Sequence, residues 1–334
     1  MQPIPVCLTA DIEFDIRGAL TYPDRCSPAG FESVQRKVGG RSQGLAPLLR
    51  PLSEFGLPAT FFVEAMQVAH FGTEPMASVV NELKQYPLFD LQLHAHPCWE
   101  YLLAPDWRQT VGQVVKNDSL AGRGVGGATR ILSLAADYFR HLTGQSPVAF
   151  RPGNLRIDGD LLRAQAAVGL PLSSSGGKAY FVPEDPSLSL WSGVARQDSV
   201  TEIPVTSYQV GVPWKNLAKL LTVTGTPLST MIRILEHAAK HNQGPVVFLT
   251  HASEMAKDAA SIFEPPRYVP LRTNQERWRE LCCYLHENAA RFRVLPFGPS
   301  VAFWQSLAPV SRNPYRGRVR DLSVIALSRL IKRV

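Results

Sequence analysis

In the stretch DLQLHAHPCW, residues 90–99, two histidines stand two apart where an apolar alternation ends, and a proline follows at once. Imidazole nitrogens ligate divalent metals and carry protons. His94 and His96 are therefore either a pair of metal ligands or two side chains that cap a strand. Side chains two apart on a strand point to one face, so both readings bring the rings together. The opening stretch TADIEFD repeats the spacing with carboxylates, Asp11 and Glu13, and Thr9 precedes them on the same face. Arg151 in FRPGN and His251 in FLTHASEM each end an apolar run. Carboxylate, imidazole and guanidinium groups thus stand at four strand ends, the rim where barrel enzymes carry out catalysis.

Those groups need strands to position them. Short apolar, β-branched or aromatic runs predict strands at 4–10, 58–64, 89–95, 147–151, 171–174, 202–206, 245–250 and 292–296. Helical periodicity predicts helices at 43–56, 74–86, 128–144, 158–169, 227–243 and 274–291, with Gly56, Gly144, Gly169 and Gly244 as stop signals. Strand–helix alternation with apolar strands means parallel pairing under helices. Seven or eight such units favour an α/β barrel over a doubly wound sheet.

Taken in order, TADIEFD, ATFFVEA, LHAHPCW, FRPGN and FLTHASEM resemble the motif series of the polysaccharide deacetylase (NodB-homology) family over about residues 4–297. The resemblance implies a distorted (β/α) barrel of seven or eight parallel strands holding one divalent metal. It also implies hydrolysis of N-acetyl or related acyl groups on amino sugars. Such hydrolysis needs an activated water, a polarised carbonyl and a proton for the departing amine. Matched to the family pattern, Asp11 is the base, Glu13 a metal ligand, Arg151 the group orienting the base and His251 the general acid, with Glu254 supporting it. The implied metal is zinc, with cobalt, nickel or manganese as alternatives.

The match is imperfect at two places. Ile12 separates two acidic residues that are adjacent in many members. The metal histidines, usually four apart, are two apart here, with Gln92 and Cys98 at the four-residue offsets. His94 and His96 binding together with Glu13 is the favoured expectation. A Glu13–His94–Cys98 set is the alternative, and it needs Pro97 to redirect the chain. These departures leave open a silent barrel that binds carbohydrate or a partner protein, and hydrolysis of a non-acetyl C–N bond.

Other residues frame the expected site. Trp99 is expected to stack on a sugar. The long connection 14–42 carries Arg17, Tyr22, Arg25, Arg36 and Lys37, read either as contacts to an anionic, nucleotide- or lipid-linked glycan or as a solvated surface; Arg17 is taken as substrate-binding. GRGVGG at 122–127 follows no strand and is expected to be a flexible surface loop, not a dinucleotide loop. SSSGGK at 173–178 has the wrong order for a phosphate loop, and no G-x-S-x-G elbow occurs. Cys282 and Cys283 are expected to pack in a core.

The chain of 334 residues is 45% hydrophobic and 19% charged, as soluble globular proteins are. Its five cysteines show no pairing spacing, and no basic-then-apolar leader opens the chain, so reduced thiols in a cytoplasm are expected. Of the net charge of +7, residues 311–334 contribute +6, from seven basic residues and Asp321. The body is near neutral, which disfavours nucleic acid as the partner. The expected division is a barrel over 1–310 and a basic tail over 311–334. That tail is read either as a docked or loose end or as an amphipathic helix on an anionic membrane face at the inner surface.

Overall fold

The computed structural model describes residues 2–113, 117–212 and 215–318. The sheet strands are β1 (Ile4–Ile12), β2 (Ala59–Glu64), β3 (Phe89–Ala95), β4 (Ala149–Pro152), β5 (Leu172–Ser173), β6 (Gly193–Gln197), β7 (Val200–Glu202), β8 (Ser207–Val212), β9 (Lys215–Leu220), β10 (Val246–His251) and β11 (Phe292–Val294). Helices α1 (Leu45–Glu54), α2 (Thr73–Lys84), α3 (Gly124–Thr143), α4 (Gly159–Ala167), α5 (Leu228–His241) and α6 (Arg272–Glu287) fall between them.

Seven strands run parallel in the order β10-β1-β2-β3-β4-β5-β7, and β11 adds a parallel eighth against the start of β1. Strand β6 extends the far edge antiparallel to β7. Beyond β7 the chain crosses to β10 by single bonds: Thr206 N–H donates to the Val247 carbonyl (3.1 Å), and Leu249 N–H to that of Leu221 (3.1 Å). The sheet is thus a distorted α/β barrel whose last gap is bridged without a regular ladder.

Period-two alternation explains the two cores. Val6, Leu8, Ala10 and Ile12 of β1 join the outer layer with Leu48 and Leu52 of α1, Val79 and Val80 of α2 and Ile131 and Phe139 of α3. Cys7 faces the opposite side, with Phe62, Ala149, Leu172, Val247 and Leu249 filling the barrel interior. The interior-facing residues of β1 end in Asp11, and those of β3 in His94.

Every expected helix is present, and so is every expected strand except 202–206, of which only Glu202 lies in a strand. The run 171–174 shrinks to Leu172–Ser173, and 202–206 becomes Val200–Glu202. The helix stop at α5 is Asn242 (φ 50°), not Gly244. GRGVGG is not a flexible surface loop: α3 starts at Gly124, inside it. Burial of Ala128, Ile131, Leu132 and Ala135 pulls the helix back over glycines whose own propensity opposes it. The hairpin β8–β9 has no expected counterpart.

The long connection 14–42 folds over the barrel rim against residues 252–270, where Ala256–Asp258 and Tyr268–Pro270 pair as a small hairpin. At the far end, Val310–Ser311 pairs with β6 and Arg316–Arg318 with β8. The amphipathic reading of the tail falls almost wholly on 319–334, outside the described residues. Among the described residues no helix is long and apolar enough to cross a membrane, and the five cysteines are free of disulfides.

Candidate metal centre

Register places the chemistry at one level. Asp11 on β1 lies opposite His251 on β10, Glu64 on β2 opposite His94 on β3, and His94 opposite Arg151 on β4. Parallel strands end at the same rim, so side chains far apart in sequence converge there.

Glu13, His94 and His96 each offer one ligand atom, and these atoms lie within 4.8 Å of one another. Glu13 Oε2 is 2.8 Å from His96 Nε2 and 3.4 Å from His94 Nε2. His94 is buried, and its Nδ1 sits 2.9 Å from the Arg151 carbonyl oxygen. A carbonyl only accepts, so Nδ1 carries the proton and Nε2 presents a lone pair. That Nε2 is buried with no hydrogen-bond partner. His96 is oriented alike: its Nδ1 is 2.6 Å from Asp118 Oδ2, which turns Nε2 toward Glu13. A carboxylate and two imidazoles with outward-held Nδ1 atoms form a donor set suited to zinc or a related divalent ion. The residues present therefore fit the implied metal.

Electrostatics couple the same groups. Burial opposes ionisation of Glu13, but above all the neighbouring His96 ring holds its carboxyl well below the usual carboxylate range. Burial likewise opposes a charge on His96, and Glu13 and then Asp118 outweigh it, raising that ring well above its ordinary value. Beneath them the fully buried Glu64 is pushed up to about 7 by burial. It accepts the His96 N–H (2.5 Å) after β3 and the Met66 N–H (2.8 Å) after β2, fixing both turns.

Asp11 lies beside this set. Arg151 Nη1 donates to Asp11 Oδ1 at 2.7 Å, while Oδ2 lies 3.7 Å from His251 Nε2. His251 Nδ1 is 3.2 Å from Glu254 Oε1, whose other oxygen accepts the Thr224 N–H (2.6 Å). Burial disfavours the His251 cation, yet Glu254, Asp11 and Glu13 raise the ring to about 9. Arg151 is fully buried and also donates to Ser174, through Nη2 to Oγ at 3.0 Å and through Nε to the carbonyl at 3.4 Å. The serine run 173–175, excluded as a phosphate loop, thus helps cradle this arginine.

All six expected catalytic and ligand residues meet here, and Glu254 with them. A cavity of about 380 Å³ opens over them, lined by Asp11, Glu13, His96 and His251 and, from the 14–42 connection, by Ile16, Leu20 and Arg36. Cys98 is grouped with His96 and Asp118, not with Glu13 and His94. Its thiol is pushed up to about 12 by burial, against the neighbouring His96. Trp99 lines the cavity as wall: it is 1% exposed and packs its ring near Phe71 (5.8 Å) and His70 (6.1 Å). Arg17 does not face the cavity. Its guanidinium bonds Asp258 (2.9 Å) and the carbonyls of Glu264 (2.9 Å) and Ser261 (3.0 Å). A loop pair needing a clasp has taken the arginine assigned to substrate. Sequence reasoning missed Asp118 and Glu64, since neither stands at a telling distance from the histidines.

Fold and site together define an α/β barrel with a carboxylate–bis-imidazole centre at its C-terminal rim. The chain matches no protein-family model and no curated protein. Among solved structures it resembles 4-alpha-glucanotransferase from Thermococcus litoralis at 11% identity and a TM-score of 0.50, over 96% of this chain and 42% of that one. A Mycobacterium smegmatis protein presented as a candidate polysaccharide deacetylase is 16% identical with a TM-score of 0.47, over 93% and 94%. A family 4 acetyl xylan esterase from Clostridium thermocellum, in complex with a cobalt ion, is 14% identical with a TM-score of 0.40, over 90% and 91%. What the glucanotransferase likeness shares with the chain is the fold.

Proposed function

We propose that this protein is a divalent-metal-dependent hydrolase that removes an N-acetyl or related acyl group from an amino sugar. One observation carries the reading: the buried His94 Nε2, stripped of any hydrogen-bond partner, is aimed at the Glu13 carboxylate beside His96. Leaving a buried polar atom unpaired costs about 1–3 kcal/mol, and a ligated ion removes that cost. Glu13, His94 and His96 would hold the ion. The chemistry a bound divalent ion supplies there is Lewis acidity toward the acyl carbonyl and the attacking water.

The chain's own groups do the rest. Arg151 fixes Asp11 through Oδ1, leaving Oδ2 to take the proton of the water that attacks the acyl carbon. His251, with Nδ1 turned to Glu254, points Nε2 at the same space and delivers a proton to the departing amine nitrogen. The 14–42 connection and the Trp99 wall limit water around the reacting amide. The motif order shared with polysaccharide deacetylases and their names among the resembled structures support a carbohydrate substrate.

Elemental analysis of the purified protein tests this reading, on wild type and on His94→Ala and His96→Ala. Near-stoichiometric metal in wild type, lost in both variants, is expected, together with acetate release from N-acetyl sugars. Loss in the His94 variant alone would point to a Cys98 arrangement. A wild type that takes up no zinc or cobalt would instead be a silent barrel.

A further inference from the structure

We propose that Arg36 is the receptor for an anionic group, a carboxylate or a phosphate, carried by the sugar substrate. The sugar half of this inference rests on the deacylase reading; the anion half rests on the guanidinium itself. Arg36 ends a short helix, Glu32–Gln35, in the connection 14–42, and its backbone adopts φ 47°. It is 5% exposed and lines the cavity that also holds Asp11, Glu13, His96 and His251.

A guanidinium has five N–H donors. Arg36 uses Nε on the Ser33 carbonyl (2.6 Å) and one Nη1 hydrogen on the Ala256 carbonyl (3.1 Å). The nearest carboxylate, Asp15 Oδ2, stands 3.9 Å from Nη2, too far for a hydrogen bond. Asp258, the other acid of this wall, is held by Arg17 at 2.9 Å. The remaining edge of the fork therefore has no acceptor among the described residues, although the charge is almost wholly removed from solvent.

A buried cation favours a partner of opposite charge, and the planar fork matches two oxygens of one oxyanion. Asp15 at 3.9 Å and the Tyr268 ring, 5.2 Å from the guanidinium carbon, offset part of the charge, but neither accepts a hydrogen bond from the open edge, and a neutral hydroxyl would accept only one. Among the described residues that line the cavity, Arg36 is the only arginine or lysine. Arg151 stands behind the wall with its Nη1 on Asp11. A substrate anion entering past the His96 and His251 rings thus meets one guanidinium among the described lining residues, on the wall built by the 14–42 connection. Asp15, whose Oδ1 accepts the Arg17 N–H at 2.8 Å, partly competes for that anchor.

Calorimetric titration of the full-length protein tests the inference with three sugars that share one acetamido group. N-acetylglucosamine is neutral, N-acetylmuramic acid adds a carboxylate, and N-acetylglucosamine 1-phosphate adds a phosphate. Wild type is expected to bind at least one anionic sugar about tenfold or more tighter than the neutral one, as a charge-assisted bond pair gives. The tighter of the two identifies the anion. In Arg36→Gln the preference disappears, in Arg36→Lys it is reduced, and in Asp15→Asn it grows. Equal binding of the three sugars by wild type, no binding of either anion, or an unchanged preference in Arg36→Gln overturns the proposal. Should Arg36→Gln not fold, a preference that fails to grow in Asp15→Asn overturns it as well. An anion preference without acetate release from any sugar would sink the deacylase reading and leave the Arg36 site standing.

Discussion

A Cβ built on Gly153 falls 2.0–2.2 Å from the ring atoms of His96. Alanine there must push the imidazole off Asp118, and with it the Nε2 that faces Glu13. Gly153→Ala is therefore expected to weaken zinc binding about 10–100-fold, the range seen when a ligand loses its orienting partner. Competition with a chromophoric chelator measures this, and unchanged affinity would mean that the ring is not needed where it stands. The glycine of FRPGN thus has a stated physical reason. The convergence of His94 and His96 was legible because two-residue spacing in an extended stretch fixes a shared face. Asp118 and Glu64 were not legible. Each reaches His96 from a separate part of the chain, and no periodicity connects residue 64 or 118 to residue 96.

Strand β3 carries a second polar cluster at its other end, and that cluster sets the pitch of the site. Asp90 accepts from Gln92 Nε2 (2.7 Å), Thr60 Oγ1 (3.0 Å) and the Gly298 N–H (2.8 Å), while Gln92 Oε1 accepts the Val148 and Ala149 N–H groups. Three neighbouring segments are thus pinned at the bottom of the strands whose tops carry Glu64, His94 and Arg151. Burial raises the Asp90 carboxyl above its ordinary value, against those three bonds. A raised folded-state value means that the folded protein holds the proton more tightly than the unfolded chain. The Asp90 contribution to stability is therefore complete at low pH and lost as pH rises through its folded-state value. Asp90→Asn is expected to cost about 1–3 kcal/mol through mispaired buried donors. In urea unfolding the gap between wild type and variant narrows from acidic to neutral pH; a gap that widens would contradict the assignment. The elements in this half were readable because β1, β2 and β3 are runs of six or more largely apolar, aromatic or β-branched residues. The region 172–220 was not, since β5 has two residues and β7 three, too few for a period to show.

At the scale of the whole molecule, charge drew a boundary after residue 310, whereas backbone pairing continues past it. Val310 and Ser311 lie opposite Val194 and Gly193, and Gln209, Val210 and Gly211 lie opposite Arg316, Gly317 and Arg318. The Arg312 N–H donates to the Ser192 carbonyl (3.1 Å), the Gln209 N–H to the Tyr315 carbonyl (2.9 Å), and Arg312 Nε to the Gly244 carbonyl (3.4 Å). Tyr315 packs against the outer core. Composition missed this because a strand of two or three residues is fixed by the edge it meets, not by its own side chains. Residues 311–318 therefore belong to the barrel that positions the site, with their positive charge carried along its edge. A chain ending at 318 is expected to be more stable to urea than one ending at 310 by about 1.5–4.5 kcal/mol, taking the three hydrogen bonds named at roughly 0.5–1.5 kcal/mol each. Both truncations lack residues 319–334, so their difference reports on the paired segment alone. Equal midpoints and equal slopes would restore the boundary that charge suggests. A lower midpoint for the shorter chain, with zinc binding weakened in step, would show that the C-terminal strands hold together the rim on which Glu13, His94 and His96 converge.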